Sequence, residues 1–119
     1  MKAVVLTLLG LFVSTGLVSA HSAFLRSQPA NGATVKQAPN EIRMWFSEPI
    51  KTVLSTIEVH NASGKQVDLR NLHADEKEPA LVRVSLREHL APGVYRVLWN
   101  AVAQDLHVAK GSFSFRIAP

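Results

Sequence analysis

Glu41-Ile42-Arg43-Met44-Trp45-Phe46 sets the reading of the whole chain. Ile42, Met44 and Phe46 alternate with Glu41, Arg43 and Trp45, the period of a strand with one face in a core. The same period returns at Ile57 and Val59 against Glu58 and His60. It returns again at Val82, Val84 and Leu86 against Arg83, Ser85 and Arg87, and at Phe113, Phe115 and Ile117 against Ser112, Ser114 and Arg116. Tyr95, Val97 and Trp99 alternate with Val94, Arg96 and Leu98, so that strand is expected to be covered on both sides. Turn chemistry lies between these runs, at Pro29-Ala30-Asn31-Gly32, Asn61-Ala62-Ser63-Gly64 and Ala91-Pro92-Gly93. There is no long amphipathic helical pattern; Ser85 to Leu90 has room for one turn at most. About seven short strands in about 100 residues predict an all-β fold: an antiparallel Greek-key β-sandwich, cupredoxin-like or immunoglobulin-like.

The first 20 residues read differently. Met1-Lys2 is a basic start, Ala3 to Val13 an apolar run, and Val18-Ser19-Ala20 a small-residue cleavage triplet. The run is shorter than the roughly 20 residues that cross a bilayer. A cut after Ala23 would put His21 where a small residue is required. Cleavage after Ala20 is therefore expected, with 1–20 as signal peptide and 21–119 as one exported domain. The sequence has no cysteine, which excludes disulfides and thiolate metal sites and suits a bacterial periplasm. Loss of Lys2 with the signal leaves 12 Lys and Arg against 9 Asp and Glu, a formal charge of +3. The basic residues are scattered singly, so nucleic acid is not an expected partner. No second apolar segment follows, and the processed chain is expected to be a monomer that is not embedded in a membrane.

Cleavage after Ala20 would make His21 the first residue. Its free α-amine and ring Nδ1 could then close a six-membered chelate ring on a metal, which an internal histidine cannot do. Asp105 and His107 stand two apart, and in extended chain their side chains leave one face with Cα atoms roughly 6.6 Å apart. That suits convergence on an ion about 2 Å from each ligand atom. Three nitrogens and one carboxylate oxygen favour one tetragonal Cu(II) ion, with zinc second. His60, His73 and His89 sit among charged or turn residues and read as surface side chains. Met44 and Trp99 read as packing residues.

Ordered motifs along the chain carry a family resemblance. They are His21-Ser22-Ala23-Phe24-Leu25, Ser27-Gln28-Pro29-Ala30-Asn31-Gly32, Met44-Trp45-Phe46-Ser47-Glu48-Pro49, Leu90 to Trp99, and Ala103-Gln104-Asp105-Leu106-His107 running on to Phe115. In these the chain resembles the CopC-type periplasmic copper-binding (copper resistance) proteins over nearly its whole mature length. The resemblance implies a cupredoxin-like sandwich binding Cu(II) through a histidine brace, which by motif position falls on His21, Asp105 and His107. It also implies that Glu48 is an acid behind the ligands, near the N-terminal amine. From the residues alone, Glu48 is only a carboxylate after an edge-like strand. The chain departs from relatives that hold Cu(I) in a methionine-rich loop, because Lys51 to Pro79 contains no methionine. That points to the single-site, Cu(II)-only branch. The resemblance further implies a separate CopD-like inner-membrane partner.

The expected function is thus capture and carriage of periplasmic Cu(II) by ligand exchange, without turnover. Two other readings differ in kind. A copper-dependent oxidative enzyme of the histidine-brace type, as in lytic polysaccharide monooxygenases, is opposed by the short loops and by a carboxylate in the space oxygen needs. A metal-free interaction module would leave the histidines incidental.

Overall fold

The computed structural model describes residues 22–119; the expected signal peptide and His21 lie outside the described residues. Eight strands follow in order: β1 (Phe24–Gln28), β2 (Thr34–Val35), β3 (Glu41–Phe46), β4 (Thr56–His60), β5 (His73–Ala74), β6 (Leu81–Ser85), β7 (Gly93–Val102) and β8 (Val108–Ile117). They form two four-stranded sheets, β1-β3-β6-β5 and β2-β8-β7-β4. The described residues contain no helix, and Ser85 to Leu90 is not helical. The all-β sandwich expected from alternation is present, with one parallel pair, β2 on β8. The count exceeds about seven because β2 and β5 have two residues each, too few to show a period.

Alternation decides which side chains meet between the sheets. Ile42 and Met44 of β3, Val82 and Val84 of β6, Val59 of β4 and Val97 of β7 are fully buried. Each such side chain contributes about 1.5–3 kcal/mol relative to leaving it in water. β7 departs from the expectation of cover on both sides: Val94 and Arg96 are exposed. Cover on that face comes toward the end of the strand, where Leu98 and Asn100 are half-buried and Val102 is buried beside the loop after β3. β3 lies between β1 and β6, so Glu48 follows an interior strand and not an edge.

β1 owes its placement to a bulge. Its register on β3 slips between Phe24, opposite Phe46, and Arg26, opposite Trp45. The extra residue lets Leu25 and Arg26 both face out while Phe24 and Ser27 face in. Arg26 then lies 3.8 Å over the Trp45 ring. Phe24 enters an aromatic cluster, its ring centroid 5.9 Å from Phe46, 5.4 Å from Trp99 and 5.9 Å from Phe113. Gly111, opposite Trp99 on β8, makes room for the indole.

A Cβ at position 111 would lie 2.5 Å from Trp99 Cζ2, with the ring held by Phe24 and Phe46. Gly111→Ala should therefore lower stability by about 1–3 kcal/mol, the usual cost of overpacking. Guanidinium unfolding followed by tryptophan fluorescence measures this; an unchanged midpoint would contradict the packing.

Candidate metal centre

Three chain segments meet at one end of the sandwich: the start of β1, the loop after β3, and the β7–β8 turn. Ser47 N–H donates to the Ala23 carbonyl at 2.8 Å, and Ala23 N–H donates back to Ser47 Oγ at 2.8 Å. Ser22, only 3% exposed, donates its hydroxyl to the Glu48 carbonyl at 2.6 Å. The loop is tied on its other side to the turn. Lys51 N–H donates to the Val102 carbonyl at 2.8 Å, Ile50 bridges Ala103, and Gln104 Nε2 lies 3.4 Å from the Pro49 carbonyl.

Asp105 and His107 lie on this turn, not in extended chain as their spacing suggested. Ala103 N–H donates to the His107 carbonyl and Leu106 N–H to the Ala103 carbonyl, both at 2.9 Å. Leu106 sits at φ 70°, in the left-handed region. The turn brings the two side chains into contact. Asp105 Oδ2 is 3.0 Å from His107 Nδ1, and Oδ1 accepts from His107 N–H at 3.1 Å. With Nδ1–H donating to the carboxylate, the lone pair of a neutral ring lies on Nε2, the nitrogen through which such a ring coordinates a metal. Each carboxylate oxygen keeps further lone pairs for a cation. The His107 side chain is 68% exposed and that of Asp105 28%. Ser22, Ala103, His107, Val108 and Ala109 line one cavity of about 200 Å³.

Among the described residues no three His, Asp or Glu side chains converge, so Asp105 and His107 supply two protein groups here. Glu48 is exposed, and it is its main-chain carbonyl that meets the N-terminal segment. Ser22 was not legible as a site residue, since a serine after a histidine forms no pattern.

The other histidines fall elsewhere. His60 Nδ1 is 3.1 Å from the Gly64 carbonyl and its Nε2 3.2 Å from Glu58, which fixes a turn. His73 Nδ1–H donates to the Asn71 carbonyl at 2.7 Å. His89 is exposed. The sequence His73-Ala74-Asp75 resembles the Asp-x-His pair only on paper, because Asp75 turns away to Arg83 at 2.7 Å.

Two predictions follow from these contacts. Ser22→Ala removes the hydrogen bond to a sheltered carbonyl and should cost about 1–2 kcal/mol in urea unfolding; wild-type stability would mean that the anchor is idle. N–H groups of Glu78 and Lys77, then Arg83, hold the Asp75 carboxyl below its ordinary 3.8. Its contribution is present above that value and is lost as pH falls through the lowered one. Asp75→Asn should flatten the acid side of the stability–pH curve; an unchanged acid limb would remove Asp75 from the account.

Comparison with known proteins places the chain among copper transport and resistance proteins. The CopC domain family matches residues 24–118. The "Copper transport protein CutJ" of Bacillus subtilis is 32% identical over 98 residues, 82% of this chain; the chain spans 18% of that protein's length. Protein YobA of Escherichia coli is 30% identical over 103 residues, 87% of this chain and 83% of its own. Copper resistance protein C of Xanthomonas campestris is 29% identical, covering 82% and 80%. Among solved structures, CopC from Methylosinus trichosporium OB3b has a TM-score of 0.76 at 23% identity, covering 83% of this chain and 95% of its own. PcoC, described as a methionine-rich copper resistance protein from Escherichia coli, scores 0.71 at 27% identity, covering 82% and 98%.

Proposed function

The chain belongs to the CopC family, and from that premise we propose that it is a periplasmic Cu(II) carrier or buffer acting through an N-terminal histidine brace. Membership makes it a copper transport or resistance protein and not an enzyme. The oxidation state, the ligands and the route of delivery are our reading.

One observation carries that reading. Ser22 and His107 line the same cavity, with Asp105 3.0 Å from the His107 ring. His21 is bonded to Ser22, and adjacent Cα atoms are about 3.8 Å apart. A processed chain would begin within reach of both turn residues. His21 would offer its amine and Nδ1, His107 an imidazole nitrogen and Asp105 an oxygen. This set of three nitrogens and a hard oxygen suits Cu(II) better than Cu(I). Glu48, next along from Ser47, would lend negative charge near the amine.

The methionine content agrees with a single Cu(II) site. The chain has two methionines, Met1 and Met44, and Met44 is fully buried in the core. No thioether is offered at the surface of the described residues, in contrast to the neighbour named for its methionines. Copper would be released by ligand exchange to a separate CopD-like inner-membrane acceptor. The long relative in which the matched stretch is 18% of the protein supports pairing this domain with a larger partner.

The test compares secreted protein beginning at His21 with a form carrying one extra N-terminal residue. The extension turns the amine into an amide. Calorimetric Cu(II) affinity should drop by at least roughly the tenfold to hundredfold that loss of a group around a metal costs. Equal affinity of the two forms would refute the brace. In the His21 form, affinity should also fall as pH drops, because each ligand must give up its proton to bind the metal.

A further inference from the structure

The outward faces of the two sheets treat their arginines differently. On β1-β3-β6-β5 every arginine is matched. Arg43 lies 3.0 Å from Glu41, Arg83 lies 2.7 Å from both Glu41 and Asp75, and Arg26 stacks on Trp45. On β2-β8-β7-β4 the outward residues include Arg96, Lys110 and Arg116, all exposed. Among the described residues none of these three makes an ion pair. Glu58 is the one acid in these four strands, and its Oε2 lies 3.2 Å from His60 Nε2.

Strand register brings two of the unmatched cations together. Ser114 stands opposite Arg96 and Val94 opposite Arg116, so the two arginines are diagonal neighbours on one face, roughly 7–8 Å apart at the backbone. Tyr95, Phe115 and Ile117, which alternate with them, are buried in the core. Thr34 of β2 pairs with Arg116 from its other side. Thr34, Val94, Ser114 and Arg116 line a cavity of about 190 Å³. Its backbone is fixed: Gly32 N–H donates to the Ser114 carbonyl at 2.7 Å, Arg116 N–H to the Ala33 carbonyl at 2.8 Å, and Ser114 N–H to Asn31 Oδ1 at 3.3 Å. Among the described residues the Thr34 and Ser114 hydroxyls make no hydrogen bond.

Two neighbouring guanidiniums with no carboxylate between them repel each other, and an anion held by both removes that repulsion. Each guanidinium presents a fork of N–H donors that matches a phosphate oxygen pair. A planar carboxylate has two oxygens to share, whereas a tetrahedral oxyanion has enough for both forks and for hydroxyl donors beside them.

We propose that Arg96 and Arg116, with the Thr34 and Ser114 hydroxyls, form a binding site for a tetrahedral oxyanion of the phosphate class. The site lies at the far end of the β7–β8 hairpin from Asp105 and His107. Val94–Arg116 and Val102–Val108 are eight rungs apart, roughly 27 Å at about 3.4 Å per residue. Its occupancy is separate from copper binding, and its failure would leave the copper reading intact.

Copper-free processed protein, isotope-labelled and titrated with sodium phosphate at neutral pH, tests this by heteronuclear NMR, with chloride keeping the ionic strength constant. Amide signals of Thr34, Ser114 and Arg116 should move and saturate. Arg96→Gln and Arg116→Gln should each weaken binding about tenfold, as expected for loss of charged hydrogen-bond donors. Arg116→Lys keeps the charge but gives up the fork, and should weaken binding as well. Arg87→Gln, which removes a positive charge from the loop after β6, should leave affinity unchanged. Retained signal dispersion establishes that each variant is folded, and the two glutamine variants report independently. A parallel titration with glycerol phosphate separates the sources: binding as tight as phosphate or tighter assigns the site to a phosphate ester, and weaker binding assigns it to the free ion. Shifts that never saturate, shifts confined to other residues, or an equal loss in Arg87→Gln would overturn the proposal.

Discussion

The structure turns on how its first described residues are fastened. Ser22 is buried against the Glu48 carbonyl, Ala23 and Ser47 exchange hydrogen bonds, and Phe24 is wedged among Phe46, Trp99 and Phe113. Main-chain pairing, a buried hydroxyl and aromatic packing hold this segment at the end of the sandwich where the β7–β8 turn emerges. The bulge in β1 makes this possible by turning Phe24 inward without turning Leu25 and Arg26 in with it.

That anchoring links fold to chemistry. The turn supplies a carboxylate and an imidazole already in contact, with Leu106 in a left-handed conformation between them. Under the proposed brace, two donors fixed by a hydrogen-bonded turn would need little rearrangement to meet a third from the start of a processed chain. The loop after β3 touches both, through Glu48 on one side and Val102 and Ala103 on the other. It braces the geometry and also lifts Val53 and Leu54 into solvent.

Much of this was legible in the sequence, and what was not has physical causes. Strands of five or more residues with one buried face declare themselves by period, so β3, β4, β6, β7 and β8 were readable. β1 was not, because its bulge breaks the period at Leu25 and Arg26. β2 and β5 are too short to show one. Asp105 and His107 stand out by ligand chemistry, and what brings them into contact is a turn with a left-handed Leu106, which spacing alone does not reveal. The outward half of β7 looks apolar because Val94 and Leu98 fall there, yet Val94 is open and full cover comes only at Val102, beside a loop whose course depends on distant contacts. Ser22 gave no signal, since its importance lies in the carbonyl it finds 26 residues away.

A crystal structure of the secreted, Cu(II)-loaded protein is the most direct measurement. The account requires a single ion about 2 Å from the terminal amine and ring nitrogen of His21, a ring nitrogen of His107 and an oxygen of Asp105. An ion bound elsewhere, or one held by Asp105 and His107 with the amine turned away, would contradict it.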